Sequence, residues 1–530
     1  MPRLDSHRKV AAESLEVVSL LPPFSFFDFA EKQFDSPCES IRRIFSLARS
    51  SDARSLVFEK IPPCGIIEEE NEDILSLYPE YIPNGLFRLS FWEKEMNDGG
   101  IDGFDNEDLI GYAILKNDMA GRSYNGWHIF EAVFRKYPHQ HNCVPQQQTY
   151  SLSVGAKFFD INGVLYCQQN TLNKACAQVA LRSLLSRLLP ETDVSYRRIN
   201  QIASSIDFSH IPGHGLDVQQ IRKIFDEYGI KYSDVDYSIK AAATTEEKER
   251  KKQLQIDLPY QKYAYSGLES GGGALVGFRC TNSRGEEAGH IIPIYGHTFN
   301  KDTWAPDANF AYFRIGTKAG YIPSEIWTSS FIGHDDNFGP NFCIPRLYIQ
   351  KEKVDYVLEV FRPGITYSGV EAEAVALNIL YSLIADLDSS KNIWILRLKK
   401  WCPFQRLVFR ALALTKNEYM SHLSSLSDWE GHKESTEICS VLESELPDYV
   451  WSVEVSTPQL FPANKRKLGE IVFDGTGNIT KPDGSLNSDL FIFARLPGVY
   501  MLGGNVDEHG RPEFIQVSSF LESHTDLLRL

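Results

Sequence analysis

The stretch YCQQNTLNKACAQVALRSLL, Tyr166 to Leu185, sets two cysteines, two adjacent glutamines and asparagines directly ahead of a strongly helical run. Asn173 has the side chain of an N-cap, and Ala177, Ala180, Leu181, Leu184 and Leu188 share one face, so a helix over 174–189 is expected, largely buried. Cys176 then falls in the first turn. Unpaired backbone N–H groups and the positive end of the helix dipole favour thiolate over thiol there, which is how a cysteine becomes a nucleophile. The alternative is a small buried apolar residue with no chemical role. A side-chain amide of Gln168 or Gln169, placed just before the helix, is suited to donate to an oxyanion beside the backbone N–H of Cys176.

A nucleophilic thiol needs a base and a group to orient it. His290 begins an apolar strand, HIIPIYGHTF, directly after the polar turn TNSRGEEAG, and Asp307 follows 17 residues later in WAPDA, where a neighbouring strand would end. His297 is an odd number of residues from His290 and so belongs to the other strand face, leaving His290 as the candidate base. Other polar clusters point to less. HQHNC, His139 to Cys143, has ligand-like alternation without a second ligand pair, and no metal or cofactor is expected. FIGHDDNFGPNFC, with His334, Asp335 and Asp336, reads as a surface turn or a cleft lining. SGGGALVGF lacks the GK[ST] of a phosphate loop, DGTGN reads as a hairpin turn, and ANKRKLG as a short basic loop.

Composition bounds these readings. At 530 residues, 43% apolar and 23% charged, the chain has material for two to four globular domains. With 54 basic against 70 acidic residues its net charge is −16, which disfavours phosphate backbones and anionic lipid surfaces, so neither nucleic acid nor membrane is expected as a partner. Nine sparse cysteines fit reduced thiols. The N-terminal MPRLDSHRKVAAESLEVVSLLPPF carries early acids and no long apolar core, so it does not read as a secretory signal, and no window is apolar enough for a membrane span. The expected location is the cytoplasm.

An α+β organisation in three consecutive parts is expected: an N-terminal module over 1–150, a central domain over 151–346 and a C-terminal module over 347–530. The first carries a helix from Ser36 to Ser50, with Ser36 and Glu39 as a capping box, then strands in GYAILKND and GWHIFEAVFRKY. YSLSVGAKFFDINGVLY reads as a hairpin turning at INGV. Helices follow over Ser195 to Ile206 and in GLDVQQIRKIFDEYGI, where Val218, Ile221, Ile224 and Phe225 make one face; KAAATTEEKERKKQLQ is an exposed charged helix or excursion. The last part reads as a helix EAEAVALNILYSLIADL, a strand NIWILRLKKW, charged helices to Glu445, and short strands WSVEVS, GEIVFD, LFIFARL and VYML.

The order QQNTLNKACAQVALRSLL, GLDVQQIRKIFDEYGI, ALVGFRC…GHIIPIYGH and WAPDA resembles the papain-like cysteine peptidase superfamily, nearest to its bacterial branch that cleaves double-glycine leader peptides. The likeness covers Gln168 to Arg346. It implies a nucleophile helix packed on an antiparallel sheet, with Cys176 as nucleophile, His290 as base, Asp307 as orienting acid and a glutamine as oxyanion donor. That branch spaces its glutamine six residues before the cysteine, the place of Asn170 here, so Gln169 takes the role if the turn holds one extra residue. Pro306-Asp307 reverses the family order, leaving Asp302 and Asn309 as rivals for the third role. The implied activity is hydrolysis of a peptide or isopeptide bond in a protein or peptide substrate, with the flanking modules open to a protein partner. A thiol acyltransferase using the same residues, and a silent scaffold acting as a regulatory subunit, are the alternatives.

Overall fold

Residues 14–134 fold as an antiparallel meander: β1 (Ser14–Ser19), β2 (Ser55–Lys60), β3 (Tyr81–Trp92), β4 (Leu109–Ala120) and β5 (Tyr124–Phe134), in that spatial order. They belong to a computed structural model that describes residues 6–528 apart from 97–99, 122–123, 136–141, 193, 282–284, 299–313, 316–318, 387–391, 403–405, 462–463, 485–486, 507–511 and 519–522. Helices α1 (Phe26–Phe34) and α2 (Glu39–Ser50) cover one face of the sheet, where Ile41, Ile44 and Phe45 meet Leu56, Leu89, Ala113 and Ala132 in an apolar core.

The opposite face is also buried but carries charge. Glu59, Arg88, Lys116, Asp118, His128 and Glu131 are all nearly inaccessible. Charges are left there only when paired. Arg88 donates through Nε to Glu59 at 2.8 Å, and Lys116 reaches Glu70, on α3 (Ile66–Leu77), at 3.0 Å and Asp118 at 3.1 Å. The alternation of apolar and charged side chains along β4 is thus a two-sided burial pattern rather than a core face and a solvent face.

A hairpin, β6 (Gln148–Val154) and β7 (Lys157–Gly163), turns at Gly155, whose φ of +56° suits glycine. The expected turn at INGV is instead the end of β7, where Gly163 lies so close to Val133 that an added Cβ would sit 2.5 Å from it. The chain then runs beside β5, Tyr166 exchanging backbone bonds with Ala132 at 2.8 and 2.9 Å, before α4 (Cys176–Leu188), α5 (Tyr196–Ile206) and α6 (Val218–Glu227).

The architecture is mixed α+β with antiparallel sheets, as expected. Its division differs from three consecutive modules. One compact unit comprises Met1–Gly229, Cys280–Gly296 and Ile332–Ile344; the other comprises Ile230–Arg279, His297–Phe331 and Pro345–Leu530. The N-terminal module and α4 fall in one unit because α4 closes the charged face of the N-terminal sheet, so neither buries its surface alone. That unit also holds most of β8 (Glu287–Thr298), its neighbour β9 (Ser330–Asp335), and β10 (Gly339–Pro345) beyond it.

The second unit contains strands Val408–Thr415, Tyr449–Ser456, Gly469–Asp474 and Phe491–Leu496, paired antiparallel in that order. Helices Gly369–Asp386 and Ile393–Trp401 pack on one face, and Lys416–Ser425 and Thr436–Glu445 on the other. NIWILRLKKW is therefore a helix, not a strand: Asn392 caps it by accepting from Trp394 N at 2.9 Å and Ile395 N at 3.4 Å, which outweighs the β preference of Ile and Trp. The charged run is the helix Thr245–Asp257. Lys467 of the basic loop is fully buried between Glu454 and Glu470. The Ser36 capping box does not form; α2 begins at Glu39 after Cys38, and Ser36 has φ of +61°.

Among the described residues no helix is long and apolar enough to cross a membrane, and all nine cysteines are unpaired.

Candidate active site

Helix α4 starts at Cys176, later than expected, because the residues before it form a tight turn instead of a first helical turn. Asn170 Oδ1 accepts from the backbone N–H of Leu172 at 3.0 Å and of Asn173 at 3.2 Å, and Thr171 takes φ of +56°. Asn173 is buried in this turn rather than capping the helix, receiving Asn170 Nδ2 at 3.0 Å, while Asn200 on α5 donates to its carbonyl at 2.8 Å. Gln178 Oε1 accepts from Ala175 N at 3.1 Å and fixes the entry. Cys176 is left partly exposed at the leading end of α4, where first-turn N–H groups have no intrahelical partner.

Two buried ion networks tie this end down. Lys174 is inaccessible, 2.7 Å from Glu70 Oε1, with its Nζ over the rings of Phe130 at 4.7 Å and Tyr196 at 4.5 Å. Burial opposes charge on Glu70, but Lys116 and Lys174 hold its carboxyl well below the usual carboxylate range. One and a half turns into α4, Arg182 donates to Glu131 at 2.9 Å, and the same carboxylate takes Arg8 at 2.6 Å, Tyr112 at 2.9 Å and His7 at 3.0 Å. Burial again opposes charge there, and Arg8 and His7 overcome it, keeping Glu131 ionised well below its ordinary range.

The two glutamines are separated by what they bind. Gln168 is buried, its Oε1 accepting from Ile129 N at 2.9 Å and its Nε2 3.3 Å from Cys38 Sγ, so it holds the chain to β5. Asn170 is committed to the turn. Gln169 alone is half-buried on the side of the acidic loop, its Nε2 making a long contact of 3.5 Å with Asn337 Oδ1.

His290 sits near the start of β8 with its side chain 9% exposed and is in hydrogen-bond contact with Cys176. Its Nε2 faces two carboxylates at the end of the neighbouring strand, Asp335 Oδ2 at 3.4 Å and Asp336 Oδ1 at 3.5 Å. Burial works against its protonation, but Asp335, Cys176 and Asp336 outweigh it and raise its pKa to about 11. Asp335 is oriented by its own turn: Oδ1 accepts from Asn337 N at 2.9 Å and Phe338 N at 3.3 Å. Asp336 is nearly inaccessible and neither of its carboxylate oxygens makes a well-formed hydrogen bond; burial and Asp335 push its carboxyl up, His290 and the nearby backbone N–H groups of Asp336 and Asn337 pull it down, and it settles at about 6.

The loop carrying the acids is held by the N-terminal part of the chain. Tyr166 Oη donates to the carbonyls of Asp335 and Asp336 at 3.4 and 3.3 Å, and Ser40 Oγ on α2 donates to Asp336 O at 3.0 Å. A recess of only about 10 Å³ between Cys176, Val179, Ile291, Pro293 and Asp336 marks the floor beside the sulfur.

The structure thus brings Cys176 and His290 together, with Gln169 against Asn337, the residue after the acidic pair. Asp307, with its rivals Asp302 and Asn309, lies outside the described residues, as do His139 and His141 of HQHNC. An aspartate does end a strand beside His290. That strand is β9, and Asp335 and Asp336 stand at its end. FIGHDDNFGPNFC is both a lining and a surface turn: His334, Asp335 and Asp336 are buried at the site, and the turn that follows exposes Asn337 and Phe338. A readable signal was D-D-N-F-G after an apolar run: an Asx turn closing a strand. His297 Nε2 is instead 2.9 Å from Glu269 in the second unit. No protein-family model matches the chain, and no match is found among curated proteins.

Proposed function

We propose that the chain is a papain-like thiol hydrolase that cleaves a peptide or isopeptide bond through an acyl-enzyme. The observation that supports this most is the contact of Cys176, at a helix N-terminus, with an imidazole backed by a turn-fixed carboxylate. Because Nε2 of His290 faces Asp335, Nδ1 is the nitrogen assigned to the sulfur. With His290 held protonated by its carboxylate neighbours, the Sγ proton already rests on Nδ1 and the sulfur attacks the carbonyl carbon as a thiolate. The oxyanion is met by the Cys176 N–H and the Gln169 amide. As the C–N bond breaks, Nδ1–H protonates the departing amine. Water then gives a proton to Nδ1 while its oxygen attacks the thioester carbon, releasing a carboxylic acid and the thiol. Asp335 takes the orienting role on the strength of its distance to His290.

Digestion of an unbiased peptide library by the purified chain tests this. Cleavage is expected for the wild type and is lost in Cys176→Ala, whose melting curve stays nearly unchanged. Cleavage that survives in that variant refutes the assignment, and products heavier by an amine instead of water redirect it to acyl transfer.

A further inference from the structure

Two separations at the candidate site are too long for good hydrogen bonds yet match another geometry. His290 Nε2 stands 3.4 Å from Asp335 Oδ2 and 3.5 Å from Asp336 Oδ1, against about 2.7–3.2 Å for a well-formed N–H···O bond. The edge of a tetrahedron around zinc, with bonds of about 2.0–2.1 Å to nitrogen and oxygen, is roughly 3.3–3.5 Å. One ligand atom from each of the three residues lies within 4.8 Å of the others. Asp336 supplies an independent sign: its carboxylate is 3% exposed, aimed at His290 across 3.5 Å, and neither oxygen makes a well-formed hydrogen bond. A buried carboxylate left so is costly unless something completes it.

We propose that His290, Asp335 and Asp336 form a binding site for a single zinc-class divalent cation. The donor set of one imidazole and two carboxylates leaves a fourth position to water, the arrangement of an open zinc site. Mg²⁺ and Ca²⁺ suit it poorly, since they demand six or more oxygen ligands. The second shell is built: Asp335 Oδ1 is fixed by the N–H groups of Asn337 and Phe338, and the Asp335 and Asp336 carbonyls by Tyr166.

The consequence for activity rests on the hydrolase reading above. A cation on Nε2 displaces the proton there, leaving the ring with the single proton on Nδ1. Giving that proton to a leaving amine would create an imidazolate, so the occupied site cannot cycle as acid and base. Zinc is thus a reversible inhibitor acting on the orienting side of His290, and Cys176 is not among its ligands.

The test titrates Zn²⁺ alone against a competing fluorescent chelator, using chelator-stripped full-length chain at neutral pH. One equivalent with micromolar or tighter affinity is expected for the wild type and for Cys176→Ser. In Asp336→Asn that equivalent weakens at least about tenfold. His290→Gln, expected to do the same, serves if Asp336→Asn fails to fold. Absence of the equivalent in the wild type, or its persistence in both variants, overturns the proposal. Failure of the hydrolase reading shows separately, as cleavage by Cys176→Ala, and leaves the zinc titration readable.

Discussion

Glu131→Gln tests how the nucleophile helix is held. The Glu131 carboxylate takes Arg8 through Nε at 2.6 Å and through a second guanidinium nitrogen at 3.0 Å, Arg182 at 2.9 Å and Tyr112 at 2.9 Å, with His7 at 3.0 Å, all at a site closed to water. Glutamine preserves the volume, so no cavity opens. It removes the one anion facing two guanidinium groups and replaces one oxygen acceptor by an N–H₂ donor, which then points at donors. Removing one partner of a buried pair costs about 3–5 kcal/mol. For a unit of this size each kcal/mol lowers Tm by about 2–4 °C, so a fall of roughly 6–20 °C is expected. Differential scanning calorimetry reads it, and only the transition of the unit carrying the candidate site should move. A fall under about 2 °C would mean that α4 does not depend on this carboxylate, and the positional account of Cys176 built on it would fail.

The same network sets an acid limit. Glu131 and Glu70 have folded pKa values depressed below an ordinary value of 4.5, so their stabilisation is complete above that pH and is lost as pH falls toward the folded values. The Tm gap between wild type and Glu131→Gln should therefore be flat from about pH 5 upward and shrink below it. Gln169→Ala should lower kcat by about 10²–10³ at unchanged Tm. Gln168→Ala orphans Ile129 N and should cost about 1–3 kcal/mol of stability; the reverse pattern would exchange their roles. In Gly213→Ala the new Cβ would sit 2.5 Å from Thr171 O and 3.0 Å from Leu172 O, so the turn before Cys176 must shift. Turnover at least about tenfold lower is expected, since small displacements of a nucleophile are costly, and wild-type turnover would show that the turn yields freely.

The local chemistry of the candidate site was legible wherever one segment carries it. A small thiol ahead of an Ala- and Leu-rich run, preceded by amides, specifies a helix N-terminus with donors, and α4 bears Cys176 there. His290 was found because strand parity separates it from His297. What escaped the reading depends on pairing between distant segments. Glu70, Lys116, Glu131, Lys174 and Arg182 look like ordinary surface charges along the chain, and only their meeting across the back of the N-terminal sheet makes them a buried scaffold. Asp335 and Asp336 were not singled out as acids because sequence distance from His290 says nothing about which strand returns beside it. The helix at Ile393–Trp401 was missed because Ile and Trp favour strands, while the Asn392 cap and the burial of Ile395 and Leu398 on one face decide otherwise.

Seven cysteines, Cys176 among them, are partly exposed, so accessibility alone does not single one out. Burial pushes the thiols of Cys64 and Cys439 up, away from reactivity. The most direct measurement is peptide-mapped mass spectrometry after brief substoichiometric iodoacetamide. The Cys176–His290 pair predicts that Cys176 carries nearly all the label, and that His290→Ala slows it to the rate of the other exposed thiols. Label spread evenly over the exposed cysteines, or a Cys176 rate indifferent to His290→Ala, would contradict the account.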